Sequence, residues 1–464
     1  MPDFAASDTA TTAERADNHS FAEDGSRPAR GHIGLVVLSS IAVGFVLGLV
    51  LDLFVFGGGR EPVITGAALL SLAVGFAMLA ELSIRRTNQP QEWARVPAIC
   101  FGAAGAALLI LRPSTHVLGL LGWVWPILLM ALIVWMFRRS RRSLHSWSRR
   151  ALLYPAFVLL ALVALGGAFE AVTEAATGNK PPPGGRTYVV AGHSLYLRCV
   201  GSGSPAVILF NGLGERTPSW AWVQGDVARQ TRVCVFDRAG QGWSGKGVGR
   251  QDAHQLSADV RGLLAAANVS GPYVVAGHSV GGVYALAYAM DYPKDVAGVA
   301  LIDSATPYQF DLPAYPGFYS IWRRVSALLP TLARAGVARV YSFGSFSSLP
   351  SDARRAARAF SSSPRELRAD RDEFAGLPTV FRQDKALTSL GRKPLFVLTA
   401  DLGQQSGWPA AQNKLAGLST NSVHETTHGA THVALLEDRN YAAVSSRAIV
   451  AVVRSVRTGG PLAR

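Results

Sequence analysis

Cysteine is scarce in this 464-residue chain: Cys100, Cys199 and Cys234 are too few for a disulfide scaffold or a cysteine zinc site. There is no glycine-rich phosphate loop with a following lysine and no dinucleotide fingerprint, so no cofactor and no resident metal are expected. Charge is scarce as well, at 16% of residues. It is missing altogether from five apolar runs, at 33–51, 62–80, 96–111, 113–137 and 151–169. A helix that crosses the ~30 Å hydrocarbon core of a bilayer needs about 20 apolar residues. Four of the runs meet that length; 96–111 is shorter and rich in Gly and Ala. Buried helices of a soluble domain would carry polar faces at helical spacing, and these runs carry none. Residues 31–172 are therefore expected to form a bundle of about five transmembrane helices in a lipid bilayer. Acidic groups near the spans are confined to edge residues such as Asp52, Glu81 and Glu170, which argues against a transporter with charges along its path.

What is present between the runs is arginine. With five crossings, one side collects Arg27 and Arg30, then Arg85, Arg86 and Arg95, then Arg138, Arg139, Arg141, Arg142, Arg149 and Arg150. The other side's short loops hold Arg60 and Arg112. Arginine accumulates on the cytoplasmic side, so the N-terminus is expected inside and everything after residue 169 outside. Residues 1–30, polar and mixed in charge, read as a disordered cytoplasmic tail. No cleavable signal is evident, and the first span is expected to act as an uncleaved signal anchor. The net charge of +14 falls largely in these membrane-flanking loops. No basic motif with interleaved aromatics accompanies it, so nucleic acid is not an expected partner.

The composition changes at 173–185, a Pro/Gly linker containing Pro181-Pro182-Pro183. Beyond it, strand-like stretches occur at 187–191, 194–200, 206–210, 233–236, 273–276, 296–302 and 395–399. Helical patterns separate most of the later ones. That alternation predicts a doubly wound, mainly parallel α/β sheet, with an opening hairpin adding antiparallel strands at one edge. One turn stands out: Gly277-His278-Ser279-Val280-Gly281-Gly282. A β-branched stretch precedes it and a small-residue helical stretch follows, which is the setting of a nucleophile elbow with Ser279 at the apex. Gly277 and Gly281 let strand and helix approach each other.

Several ordered motifs then make residues 186–464 resemble an α/β-hydrolase. Phe210-Asn211-Gly212-Leu213-Gly214 stands where the family has its His-Gly oxyanion loop, with asparagine replacing histidine. The segment 236–244, with Asp237, Arg238 and Ser244, resembles the family's Asp-Arg-x-Gly-x-Gly-x-Ser turn. Gly429-Ala430-Thr431-His432 resembles the catalytic histidine loop. The resemblance implies Ser279 as nucleophile, His432 as base, and the backbone N–H groups of Leu213 and Val280 as the oxyanion hole. It implies Asp237 as a turn residue outside the triad. Two aspartates end apolar strands, Asp303 and Asp401. The family's usual acid follows the later strand in a Gly-x-x-Asp pattern, which Asp401 lacks; some relatives take it from the preceding strand. Asp303 is preferred, with Asp401 the alternative. Cys199 and Cys234 fall on strands that neighbour in the family's sheet order, so an exported domain could bridge them.

The stretch 306–391 is too long for a crossover and reads as a helical, arginine-rich cap, with Phe318, Tyr319, Trp322 and Tyr341 as its apolar anchors. Its arginines suit a solvated basic surface or an acidic substrate or lipid headgroup. One motif competes: His424-Glu425-Thr426-Thr427-His428 matches the zinc-protease pattern, which needs a helix that two threonines and Gly429 disfavour. The expected function is a membrane-tethered serine hydrolase acting on a small-molecule or lipid ester. An acyltransferase on the same residues and a non-catalytic ligand sensor are the alternatives. A dehalogenase is disfavoured, since the elbow carries serine rather than aspartate.

Overall fold

The computed structural model describes residues 32–144, 151–176, 181–247 and 251–463. The 1–30 tail with Arg27 and Arg30, Arg149 and Arg150, the linker residues 177–180, and Arg464 lie outside them.

The first half folds as α1 (Ile33–Val50), α2 (Glu61–Arg86), α3 (Arg95–Leu111), α4 (Thr115–Leu121), α5 (Trp125–Ser143) and α6 (Tyr154–Ala176). Four helices, at Ile33–Val55, Glu61–Arg86, Glu92–Leu111 and Tyr154–Ala176, are long and apolar enough to cross a membrane. The pair α4 and α5 makes a fifth if it counts as one span bent by 44°. The sequence led us to expect one continuous helix over 113–137. The break is explained by Pro126 in the first turn of α5. A proline there has no N–H to give and its ring collides with the carbonyl four residues back, that of Gly122, so the helix must restart. Helix α6 also runs to Ala176, so 173–176, expected in the linker, are helical.

The second half is one eight-stranded sheet in the order β1-β2-β4-β3-β5-β6-β7-β8. Its strands are β1 (Gly185–Val190), β2 (His193–Val200), β3 (Val207–Phe210), β4 (Val233–Asp237), β5 (Tyr273–His278), β6 (Val296–Ile302), β7 (Leu395–Leu402) and β8 (Ser422–Thr431). The β1–β2 and β2–β4 pairs are antiparallel and the rest are parallel. Strands β3 and β4 are buried at every residue, as β-branched runs covered on both faces must be. Strand β8 was not among the seven stretches expected. It is a polar edge strand, SVHETTHGAT, without the apolar pattern that marks the others.

Helices cover both faces of the sheet. On one side α8 (Ala253–Ala266) and α9 (Val280–Asp291) pack on residues such as Ile208, Phe210 and Val275. On the other, α7 (Ala221–Val227) and the C-terminal helix (Arg439–Thr458) cover Val207, Val235 and Ile302. Between β6 and β7 stands the cap: α10 (Tyr315–Val325), α11 (Leu329–Arg334), α12 (Val337–Ser342), α13 (Ser351–Ser362) and α14 (Pro364–Asp384). Helix α15 (Trp408–Ala416) follows β7, α16 (Ala434–Glu437) follows β8, and the C-terminal helix is α17.

The cap's expected anchors need correction. Tyr319 stacks on Phe374, but Tyr341 is 82% exposed and Phe318 51% exposed. The arginines need correction too, because many are neither solvated nor free for a substrate. Arg334 and Arg368 both grip Glu61, at the start of α2, and Arg339 forks onto Glu170 of α6 at 2.6 and 3.0 Å. Arg371 donates to the Gly59 carbonyl. Toward the sheet, Arg216 bonds Glu366 and Asp370 of α14 at 2.7 and 2.6 Å, and Arg238 bonds Glu373 at 2.9 Å. The cap is thus fastened to the sheet on one side and to the apolar helices on the other.

Candidate active site

The elbow follows from its glycines. A Cβ on Gly277 would sit 2.3 Å from the Gly281 carbonyl, and one on Gly281 would sit 2.2 Å from that of Phe210. Only glycine at both positions lets β5 turn straight into α9 with the end of β3 alongside. Ser279, at the apex, is held at φ 55°, ψ −130°, a backbone state that costs a non-glycine residue about 1–3 kcal/mol. It is retained there by its N–H on the Ile302 carbonyl at 3.2 Å and by the Ala305 N–H on its own carbonyl at 2.9 Å.

Asp303 directly follows β6, fully buried and also at positive φ, 40°. Its Oδ1 accepts from Ala400 N–H at 3.2 Å, Trp408 Nε1–H at 2.9 Å and Gln404 at 3.3 Å. Its Oδ2 accepts from His432 Nδ1–H at 2.6 Å. Burial opposes ionisation, but the bonds from His432 and Trp408 outweigh it and hold the carboxyl below the ordinary aspartate value. A proton fixed on Nδ1 leaves Nε2 of His432 as an acceptor, the state a base requires. Asp401 does not reach His432. It pairs instead with exposed His428 at 3.0 Å and accepts the Gly429 N–H at 2.8 Å, at the edge of the sheet.

The loop after β3 is set by Arg238, which donates to the carbonyls of Asn211 and Gly212. A trans peptide is planar, so its N–H points opposite to its C=O. The Leu213 N–H, in the same peptide as the Gly212 carbonyl, therefore faces away from Arg238. Val280 supplies the other expected donor, at the first residue of α9. Asn211, standing where the family has histidine, donates to the Phe236 carbonyl at 2.7 Å and so ties β3 to β4. Asp237 accepts from Thr217 and from Trp243, and the second bond holds the turn that follows β4.

Two residues here had no expected role. His278, just before Ser279, donates Nε2–H to the His432 carbonyl at 3.0 Å, and its ring lies 4.3 Å from the His432 ring. Its Nδ1 meets Glu215, whose other oxygen accepts the Gly212 N–H at 2.5 Å. A carbonyl can only accept, so Nε2 carries hydrogen, and the carboxylate holds a second one on Nδ1. Burial opposes both charges, yet the pairing prevails: His278 is held above the usual histidine value and Glu215 below the usual glutamate value. Nearby Glu437 is pushed up to about 7, first by burial and then by Glu215. The pair links the loop after β3, the elbow and the His432 loop in one network. The elbow motif contained His278, but nothing in the sequence pairs it with Glu215, 63 residues away.

The zinc-like motif lies on strand β8, where residues four apart are ~13 Å apart and cannot share one ion. His424 instead bonds Thr399 at 2.8 Å and Asn413 at 2.7 Å. Cys199 faces Cys234 in the β2–β4 register, and the two form a disulfide. Cys100 is free and exposed.

Residues 205–439, just over half the chain, match the family model of the alpha/beta hydrolase fold. This chain is an α/β hydrolase. An uncharacterized protein of Schizosaccharomyces pombe is 29% identical to the hydrolase over 221 residues, 45% of this chain and 39% of its own length. YqjL of Bacillus subtilis is 30% identical over 121 residues, 26% of this chain and 48% of its own. The hydrolase thus spans less than half the length of these two relatives. A thermophilic esterase from Thermogutta terrifontis is similar in structure, at 24% identity and a TM-score of 0.45 over 58% of this chain and 97% of that one.

Proposed function

We propose that the chain is a membrane-tethered serine hydrolase that cleaves a carboxylic ester, of a lipid or of the cell envelope, outside the cytoplasm. Ser279 Oγ attacks the ester carbonyl while His432 Nε2 takes its proton. Backbone N–H groups of Leu213 and Val280 receive the oxyanion. His432 returns the proton to the departing alcohol, leaving an acyl group on Ser279. Water, deprotonated by His432, then releases the acid. Asp303 keeps the imidazole in the accepting tautomer throughout. The observation that carries this reading is the 2.6 Å His432–Asp303 bond, made by a histidine whose carbonyl and ring lie against the residue before Ser279.

The tether is supported by the four long apolar helices, whose outward faces carry bare side chains such as Ile99, 70% exposed, and Phe45, 66% exposed. The extracytoplasmic side is supported by the Cys199–Cys234 disulfide, since cytosolic thiols are kept reduced. Labelling intact cells with a cell-impermeant fluorophosphonate tests nucleophile and sidedness together. Wild type should label, Ser279→Ala should not, and His428→Ala should label like wild type while His432→Ala fails. Labelling that appears only after lysis would reverse the assigned side. Labelling of Ser279→Ala would remove the nucleophile.

A further inference from the structure

A concavity of about 330 Å³ lies where α6 meets the cap, lined by none of the residues of the Ser279 site, with Phe169, Thr173, Phe343, Arg354 and Arg358 among its lining residues. Arg354 and Arg358 sit one turn apart on α13. Backbone carbonyls steady both: Leu349 accepts from Arg354 Nε and Nη2, and Ser345 accepts from Arg358 Nε at 2.9 Å. Among the described residues neither has a carboxylate partner, unlike Arg339 and Arg355, which also line the concavity but pair with Glu170 and Asp352. Two aimed guanidinium groups thus face a cavity without a counter-charge. The apolar surroundings are equally one-sided. Phe343 is 63% exposed, Val340 68% and Tyr341 82%, beside Phe169 and Val172 near the end of α6. A short helix with bare apolar residues at the level where the apolar run 151–169 ends, and with guanidinium groups just beyond it, has the layering of a bilayer interface.

We infer that this concavity is a binding site for an anionic membrane phospholipid. The phosphodiester would lie between Arg354 and Arg358, and the acyl chains would run down past Phe343 and Phe169. A guanidinium presents paired N–H groups that match two phosphate oxygens, and these two are pre-positioned by their carbonyl bonds. The inference rests on the membrane-tethered reading above but assigns a lipid the catalytic residues do not touch. Its role is to seat the cap at the membrane surface.

The test uses the full-length chain purified in detergent and titrated with phosphatidylglycerol or phosphatidylcholine, with bound lipid counted by native mass spectrometry. Wild type should prefer phosphatidylglycerol, and Arg354→Gln/Arg358→Gln should lose about 30-fold in that preference, the loss expected for two interfacial arginines. Arg382→Gln, on the cap but outside the concavity, should keep it, and equal thermal melting of the variants shows that they fold. Equal binding of the two lipids by wild type, or an unchanged preference in the double variant, overturns the site. Displacement of phosphatidylglycerol by millimolar inorganic phosphate overturns the lipid assignment. Alkaline carbonate extraction of native membranes is the separate check on the tether: release of the protein there sinks that reading, whatever the lipid titration returns.

Discussion

Replacing Asp303 with asparagine should be the most damaging isosteric change in this chain, and the structure says why. An amide can be placed in two ways. With its oxygen at the Oδ1 position it keeps the bonds from Ala400 N–H and Trp408 Nε1–H and turns its NH2 toward His432 Nδ1. The imidazole then gives up its Nδ1 proton and carries hydrogen on Nε2, where it can no longer accept from Ser279. With the amide reversed, the NH2 opposes the Ala400 and Trp408 donors, and two buried N–H groups lose their acceptor at about 1–3 kcal/mol each. The first arrangement therefore prevails, and the base is held in the wrong tautomer. Turnover should fall by roughly 10⁴, with little change in KM. At about 1.4 kcal/mol per decade that is ~5–6 kcal/mol of transition-state stabilisation. Asp401→Asn removes only a pair between a partly exposed carboxylate and His428, 89% exposed, so turnover should change by less than about threefold. Hydrolysis of a chromogenic short-chain ester by the solubilised full chain reads both. A larger loss in Asp401→Asn than in Asp303→Asn would refute the assignment of the acid, and a loss below about tenfold in Asp303→Asn would refute the tautomer argument.

The Glu215–His278 pair should leave a signature in stability against pH. His278, raised when folded, contributes fully below its unfolded value of about 6.5 and loses that contribution as pH rises through its folded value; Glu215, depressed when folded, contributes above about 4.3 and loses it as pH falls through its folded value. The urea midpoint of wild type should therefore exceed that of Glu215→Gln most between these limits, and a gap that went on widening as pH rose above about 6.5 would contradict the pairing. Glu61→Gln strips one carboxylate from two arginines that are 15% and 13% exposed, so full-length protein should lose about 3 kcal/mol, the low end for breaking a buried pair; unchanged melting would mean that the cap does not lean on α2. Cys199→Ser should cost about 3–4 kcal/mol, because the bridge closes a separation of 35 residues, and mass spectrometry of non-reduced wild type should find no free thiol at Cys199 or Cys234.

The parallel core was legible because its strands are buried on both faces and so read as continuous β-branched runs. The elbow was legible because the steric demands at Gly277 and Gly281 are local. The choice between Asp303 and Asp401 was not, since both end apolar strands and differ only in where the chain after β8 descends. The sequence between His428 and His432 decides that. Glycine at 429 adopts φ 77°, and the chain passes from the Asp401 side of the sheet edge to the Asp303 side within four residues. Strand β8 itself was hard to see because an edge strand with a polar face has no apolar alternation to report. The cap arginines were misjudged for a related reason. Periodicity marks a basic face, but whether water or a carboxylate meets that face depends on Glu61 and Glu170, which sit 273 and 169 residues from their partners.

Those two glutamates also change what the apolar half does for the catalytic half. An anchor needs only to be apolar and long, and a flexible linker would suffice to attach it. Here α2 instead begins with Glu61, and α6 carries Glu170 in its last third, and these carboxylates neutralise Arg334, Arg339 and Arg368 of the cap. The same cap reaches the sheet through Glu366, Asp370 and Glu373, which bind Arg216 and Arg238. Arg238 is the residue whose fork on the Asn211 and Gly212 carbonyls orients the loop carrying the Leu213 N–H. A chain of ion pairs and hydrogen bonds, carried within α14 by the helix itself, therefore runs from Glu61 through Arg368 and Glu373 to Arg238 and so to the loop of the proposed oxyanion donor. A buried charge in such a chain cannot lose its partner cheaply, so movement of the cap against the helices would have to be met by rearrangement at Arg238. On this reading the apolar helices fix the orientation of the sheet edge that carries Ser279 as well as its distance from them.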